Sequence, residues 1–175
     1  MEKGMIHIYC GNGKGKTSIL NGMVVRAVGA NLNIKYLRFL KNRETSENKV
    51  LNKIGIEVES SYQFSTKFIW EMNEAEREMF KQETLNGIEN LKKYLQDDSI
   101  DLILLDEILG VVENKFITED ELITLLLNRN PKIEVALSGR KIFKKLEDIA
   151  DLISVVEPKK HYFEKKVIAR LGIEY

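Results

Sequence analysis

The chain has 175 residues, and its 27 Lys plus Arg are matched by 27 Asp plus Glu, a balance that advertises neither nucleic acid nor an acidic membrane as partner. Its one cysteine excludes internal disulfides and a multi-cysteine zinc site and fits a reducing cytosol. No segment approaches the ~20 apolar residues of a membrane helix, and Met1-Glu2-Lys3-Gly4 has no signal-peptide run; the expectation is a cytoplasmic protein of one domain, residues 1–175.

Taken in order, Met5 to Tyr9 is a short apolar strand, Cys10 to Ser18 reads C-G-N-G-K-G-K-T-S, and Ile19 to Val28 has helical spacing. Strand, glycine turn, Gly-Lys-Thr and helix follow one another as in a phosphate-binding loop. Gly11, Gly13 and Gly15 let the backbone take turns that side chains would block, so successive N–H groups can face one phosphate chain. The stretch Gly11, Asn12, Gly13, Lys14, Gly15, Lys16, Thr17 and Ser18 is therefore the expected nucleotide site. Within it Lys16 supplies charge, Thr17 a hydroxyl for Mg²⁺, and the helix its positive end. The general pattern wants a glycine five residues before Gly15, where this chain has Cys10. A glycine-rich hairpin is the competing reading; the strand before, the helix after and an acidic strand downstream tell against it.

Asn33 to Leu40 reads as a buried strand, and Lys41 to Glu47 as a loop. A short helix follows around Val50, Leu51 and Ile54, ended by Gly55, and Ile56 to Val58 alternates like a strand. From Glu59 to Met72 periodicity is lost amid the aromatics Tyr62, Phe64, Phe68 and Trp70. Asn73 with Glu76 forms a capping box for a long helix whose stripe is Phe80, Thr84, Ile88, Leu91 and Leu95. Ile100 to Leu105 is a continuous apolar strand ending in Asp106-Glu107. Thr118 with Glu121 caps the next helix, Asn130-Pro131 turns the chain into a strand over 133–137, and Ser138-Gly139-Arg140 follows it. A helix through Phe143, Leu146 and Ile149, a strand over 152–156 and a last strand over 167–173 complete the expected elements.

This alternation implies an α/β fold, a mostly parallel P-loop-like sheet in three layers with helices on both faces. Ligands in such sheets sit at the carboxyl ends of the strands, where the glycine loop, Asp106-Glu107 and Ser138-Gly139-Arg140 all fall. An acid at the tip of a hydrophobic strand suits Mg²⁺, directly or through water, so Thr17, Asp106 and Glu107 are the candidate metal ligands, with Glu107 reading also as a base that orients a water. Arg140 is placed to clamp phosphate oxygens. Arg26, two turns beyond Thr17, reads equally as a phosphate ligand or a surface arginine, and His161 equally as a phosphate contact or a loop residue. His7 reads as structural and Cys10 as packing. The lysines between Arg140 and Arg170 form a basic face or a solvated one.

These residues resemble the P-loop ATP:corrinoid adenosyltransferases nearly end to end. Gly11 to Thr17 looks like that family's own loop, which also lacks the early glycine. Arg26-Ala27-Val28-Gly29, Phe39-Leu40-Lys41, Phe68-Ile69-Trp70, Leu105-Asp106-Glu107, Ser138-Gly139-Arg140, Ala150 to Ser154, Lys160-His161 and Gly172 to Tyr175 are each similar to a family segment. Four positions depart from it: Arg38 for a common glutamine, Lys67 for glycine, Ile69 for a polar residue and Lys166 for glycine. The resemblance implies that Co(I) of a corrinoid attacks the 5′ carbon of ATP and triphosphate leaves. Lys16 and Thr17 with Mg²⁺ would then stabilise the leaving group, together with Lys14, Arg26 and Arg140, while Phe68 and Trp70 would close the corrinoid site and displace the lower cobalt ligand. A reductase supplying electrons and pairing into a homodimer are further expectations from the resemblance. A P-loop nucleoside or small-molecule kinase, an ATP-binding relative with an altered second substrate and a nucleotide switch without turnover remain the alternatives.

Overall fold

Ile103, Leu104 and Leu105 are each fully buried, although successive side chains of a strand point to opposite faces. A strand of this kind must be covered on both sides, as parallel sheets are. The computed structural model describes residues 2–41, 45–61, 67 and 69–175, with Trp70 through its backbone alone. The strands are β1 (Ile6–Cys10), β2 (Ile34–Arg38), β3 (Val58–Ser60), β4 (Leu102–Asp106), β5 (Glu134–Ser138) and β6 (Leu152–Val155). The helices are α1 (Lys16–Gly29), α2 (Ser46–Lys53), α3 (Glu74–Tyr94), α4 (Ile108–Glu113), α5 (Glu119–Leu127) and α6 (Lys144–Ile149), with single 3₁₀ turns at Ile69–Glu71 and Tyr162–Lys165.

The strands form one sheet of six in the order β3-β2-β4-β5-β1-β6, every pair parallel. Two apolar layers flank it. On one face Leu20, Val24 and Ala27 of α1 and Leu51 of α2 pack on Tyr36, Leu102, Leu104 and Ala136. On the other, Ile88 and Leu91 of α3, Leu109 of α4, Leu122 of α5 and Leu146 of α6 pack on Ile8, Leu37, Leu105 and Leu137. The result is the expected three-layered α/β architecture. Register levels the strand ends: Arg38 lies beside Asp106 and Tyr9 beside Ser138. Chemistry placed at those ends is thereby gathered along one edge. Both expected capping boxes are formed, Asn73 with Glu76 and Thr118 with Glu121.

Three elements differ from the sequence expectation. The strand expected over 56–58 is β3 at Val58–Ser60, because Ile56 N–H donates to Leu51 O and belongs to the end of α2. Helix α4 was not foreseen; all its residues from Ile108 to Val112 are buried, and a short all-apolar run carries no helical period. The last strand expected over 167–173 is absent from the sheet. There the chain turns, with Lys166 and Gly172 at φ 58° and 75°, and is tied down by Glu174, whose carboxylate accepts from Arg170 N and Nε. Among the described residues no helix is long and apolar enough to cross a membrane.

Replacing Leu104, fully buried between β4 and the α1 layer, with alanine should cost ~2–5 kcal/mol in urea unfolding through lost burial and a residual cavity. Val25→Ala, on the open face of α1 at 62% exposure, should stay within ~0.5 kcal/mol.

Candidate functional site

The loop between β1 and α1 owes its shape to two constraints. Gly11 and Gly15 stand at φ 107° and 123°, conformations costly for any residue with a Cβ. A Cβ on Gly11 would also lie 2.4 Å from the carbonyl oxygen of Val156, which follows β6. Gly11 N–H donates to Arg140 O at 2.9 Å and Gly13 N–H to Val156 O at 2.7 Å, so the exits of β5 and β6 clamp the loop. Cys10 needs no such freedom. It is the last residue of β1, buried, with its carbonyl accepting from Val156 N–H. A glycine there would add nothing to the turn.

Helix α1 begins without a side-chain cap and without an acid in its first turn, leaving its first N–H groups and positive dipole end for an anion. Lys16 folds back to donate to Gly11 O at 2.7 Å and Gly13 O at 3.0 Å. Burial holds its ammonium below the ordinary lysine value; Lys41 and Arg140 add to that, and Glu107 and Asp106 oppose it.

Asp106, at the end of β4, is wholly buried and accepts from three side chains. Ser138 Oγ donates to its Oδ1 at 2.7 Å, Thr17 Oγ1 donates at 3.2 Å, and Lys41 Nζ reaches Oδ2 at 3.3 Å. The Arg38 guanidinium lies alongside, with Nε 3.4 Å from Oδ2. Arg38 is itself buried, and its Nε and Nη2 have no hydrogen-bond partner among the described residues, an incomplete satisfaction that is uncommon for buried polar atoms. The next residue, Glu107, takes the left-handed conformation at φ 63°, a strain of ~1–3 kcal/mol. That conformation lets its N–H donate to Ser138 Oγ at 2.9 Å and sets its carboxylate 3.2 Å from Lys41 Nζ. Thr17, Asp106 and Glu107 thus offer hard oxygen donors around one point, where the Lys41 ammonium now stands. That donor chemistry suits Mg²⁺, which takes a few protein oxygens and completes its shell with water and phosphate. Among the described residues there is no cluster of three or more His, Cys, Asp or Glu that could hold a metal.

These groups border an open cavity of about 500 Å³, in the range of small-ligand sites. Lys14, Lys16, Thr17 and Ser18 line it with Arg38, Lys41 and Glu107. So does the carboxyl-terminal stretch 172–175, whose first two residues were expected to end a strand over 167–173. Lys14 Nζ is held by Glu174 Oε1 at 2.7 Å, Tyr162 OH at 2.8 Å and Ile173 O at 3.1 Å. The same contacts raise its pKa, and bonds from Arg170, Lys14 and Tyr162 hold the Glu174 carboxyl well below the carboxylate range.

The remaining candidates divide. Asn12 and Arg140 are exposed beside the loop. Arg26 is exposed in the last turn of α1, nine residues and about 14 Å along the axis beyond Thr17, and does not border the cavity. Phe68 lies outside the described residues, as do Tyr62, Phe64 and the side chain of Trp70. His161 accepts from Phe163 N–H and caps a 3₁₀ turn, and His7 pairs with Glu134 within the sheet. Sequence reasoning placed Ser138 in a cluster at the site and Lys41 in a family-like segment, but gave neither side chain, nor Arg38, a role of its own. The physical signal for all three was position, each lying at or just past a strand's carboxyl end.

The family described as ATP:corrinoid adenosyltransferase BtuR/CobO/CobP matches residues 2–175. The chain is similar to "Corrinoid adenosyltransferase CobA" of Salmonella typhimurium, 32% identical over 99% of this chain and 87% of that protein. It is likewise similar to "Corrinoid adenosyltransferase" of Escherichia coli, 31% identical over the same shares. A third relative, "Corrinoid adenosyltransferase" of Sinorhizobium sp, is 29% identical over 99% of this chain and 81% of that protein.

Ser138→Ala removes the donor to Asp106 Oδ1 and the acceptor of Glu107 N–H. It should lower unfolding free energy by ~1–3 kcal/mol, the cost of leaving buried polar groups unpaired, as read by denaturant titration of the nucleotide-free protein.

Proposed function

The chain belongs to the ATP:corrinoid adenosyltransferase family, and we propose that its glycine loop and acidic strand end serve that reaction by holding the departing triphosphate. The activity is transfer of the 5′-deoxyadenosyl group of ATP to the Co(I) centre of a corrinoid, in adenosylcobalamin formation. The cobalt electron pair forms the Co–C bond while C5′–O breaks, and that bond's electrons leave with the triphosphate. Charge grows on the leaving oxygens, so preorganised donors and cations there act on the transition state more than on bound ATP. The open N–H groups at the start of α1, Lys16, Lys14 and Arg140 suit that work, while the Gly11 and Gly13 N–H groups are already donated to Arg140 O and Val156 O. Mg²⁺ held by Thr17, Asp106 and Glu107 would supply further positive charge to the same oxygens. The observation that carries this reading is Thr17 bonded to buried Asp106 at the mouth of an uncapped helix beside a cavity of about 500 Å³.

The corrinoid half rests on resemblance. Phe68 and Trp70 are assigned to closing the corrinoid site and displacing the lower axial ligand, which eases reduction of cobalt. The segment that bears them, between β3 and α3, leaves the sheet at the ligand edge, where Ser61 N–H donates to Arg38 O. Electrons from a reductase, a cytoplasmic location and one domain over residues 1–175 complete the proposal. Pairing of two copies is supported by apolar side chains left in solvent on β6 and after it, Val155 at 61% and Ile168 at 82% exposure. Exposed large apolar side chains are candidates for contact with a second copy.

Incubation with ATP and Co(I) cobalamin should yield a light-sensitive alkylcobalamin and free triphosphate; ADP and phosphate alone would refute the assignment. Lys16→Ala should lose ATP binding in calorimetry. Trp70→Ala should bind ATP normally yet turn over poorly from Co(II), and wild-type turnover would remove Trp70 from the role. Sedimentation equilibrium should report a dimer, and a monomer at every concentration would exclude pairing.

A further inference from the structure

The point enclosed by the proposed metal ligands is occupied by a cation that the chain itself carries. Lys41 Nζ lies 3.2 Å from Thr17 Oγ1, 3.3 Å from Asp106 Oδ2 and 3.2 Å from Glu107 Oε1. An ammonium satisfies those oxygens at hydrogen-bond distance, whereas Mg²⁺ would draw its ligands to ~2.0–2.1 Å. The two occupants need the same oxygens and repel each other, so they exclude one another.

The backbone around Lys41 is arranged for this placement. Leu40, just before it, takes the left-handed conformation at φ 58°, a strained state for a branched residue that persists only where the surroundings enforce it. Leu40 packs into the apolar layer beneath α4, and Ser60 Oγ donates to Lys41 O at 2.8 Å. The main chain is fixed while the side chain is free to leave, since 40% of it is exposed on the cavity. Arg38 behaves differently. It approaches the same Asp106 oxygen, but its side chain is 3% exposed and its Nη1 is tied to Thr45 and Asn48. Arg38 is a permanent counter-ion of Asp106, and Lys41 is an exchangeable one.

We propose that Lys41 is a tethered counter-ion that closes the divalent-cation position in the nucleotide-free chain and moves onto the triphosphate when metal and nucleotide enter together. The proposal rests on Thr17, Asp106 and Glu107 being the metal ligands. A free divalent ion must evict the ammonium and leave it without an anion. A metal–ATP complex brings phosphate oxygens that take Lys41 over at the moment it is displaced. Metal and nucleotide are therefore taken up as a unit, and the acidic pair is kept from binding stray cations between turnovers.

The test uses Mn²⁺ as probe, followed by the electron paramagnetic resonance signal of the free ion. Wild-type protein without nucleotide should bind Mn²⁺ weakly. Lys41→Met should bind Mn²⁺ alone about tenfold more tightly or better, as expected when the closed fraction of a site is removed, and Mn–ATP more weakly than wild type. Lys41→Gln, which keeps a polar tip without the charge, should follow Lys41→Met. Asp106→Asn should lose Mn–ATP. Unchanged affinity for Mn²⁺ alone in both Lys41 variants, with Asp106→Asn defective, overturns the counter-ion role while leaving the metal ligands standing. Wild-type Mn–ATP affinity in Asp106→Asn overturns the metal-ligand reading itself, and this inference with it.

Discussion

The buried carboxylate of Asp106 is the group on which fold and site both depend. A charge at zero exposure is tolerable only when it is paired and hydrogen-bonded. Its partners come from four places in the chain: Thr17 at the start of α1, Arg38 at the end of β2, Lys41 just beyond it, and Ser138 at the end of β5. None can meet it unless β1, β2, β4 and β5 lie in the observed order with their ends level. The sheet is thus the device that makes the carboxylate affordable, and the carboxylate fixes the segments leaving the sheet relative to one another. Ser138 passes the constraint on, since its hydroxyl takes the Glu107 N–H and sets the strained residue from which α4 starts.

The same logic extends across the cavity. Each lysine that faces it already has an internal partner. Lys16 is spread over two loop carbonyls, Lys14 is held by Glu174 and Tyr162, and Lys41 sits among Thr17, Asp106 and Glu107. Unpaired, these cations would repel one another, and Lys41 and Arg140 already help to depress the pKa of Lys16. A polyanion entering the cavity does not meet bare charges; it exchanges one set of partners for another. The free energy of binding is then a difference between two satisfied states, and on the proposed exchange the oxygens given up by Lys41 would become available to a metal in the same event.

What could be read from the sequence follows from how local each cause is. The glycine loop, both capping boxes and the buried β4 strand rest on short patterns with one physical solution, and they stand where expected. So does the three-layered sheet, because alternating strands and helices leave few alternatives. The failures have non-local causes. Residues 167–173 have the apolar content of a strand, yet β6 stays the sheet edge and Glu174 ties the chain back toward Lys14. Helix α4 is buried all round and so lacks a period. Lys41 and Ser138 are ordinary residue types whose importance lies in register: a lysine after a strand means nothing until that strand's neighbour is known to end in a buried acid. The role given to Phe68 and Trp70 rests on family resemblance, and their side chains lie outside the described residues.

Adenosyl transfer and phosphoryl transfer can share this loop because both require charge control on the same oxygens. They differ in which atom is attacked. A kinase needs its acceptor at the γ-phosphorus, close to Lys16 and Thr17, where a base or an oriented hydroxyl completes the chemistry. Attack on C5′ puts the nucleophile on the other side of the triphosphate, away from the loop. The loop then has no need to admit a second substrate and can be clamped, as it is by the exits of β5 and β6 through Arg140 O and Val156 O. The carboxylates can be committed to cations instead of to a proton, as Glu107 is to Lys41. Under this division the loop and β4 are proposed to deal with the leaving group, and the corrinoid role proposed for Phe68 and Trp70 belongs to a different part of the chain, the segment between β3 and α3. Of the four positions read as departures from the family pattern, Lys67 and Ile69 fall in that segment, whereas Arg38 lies beside Asp106 itself.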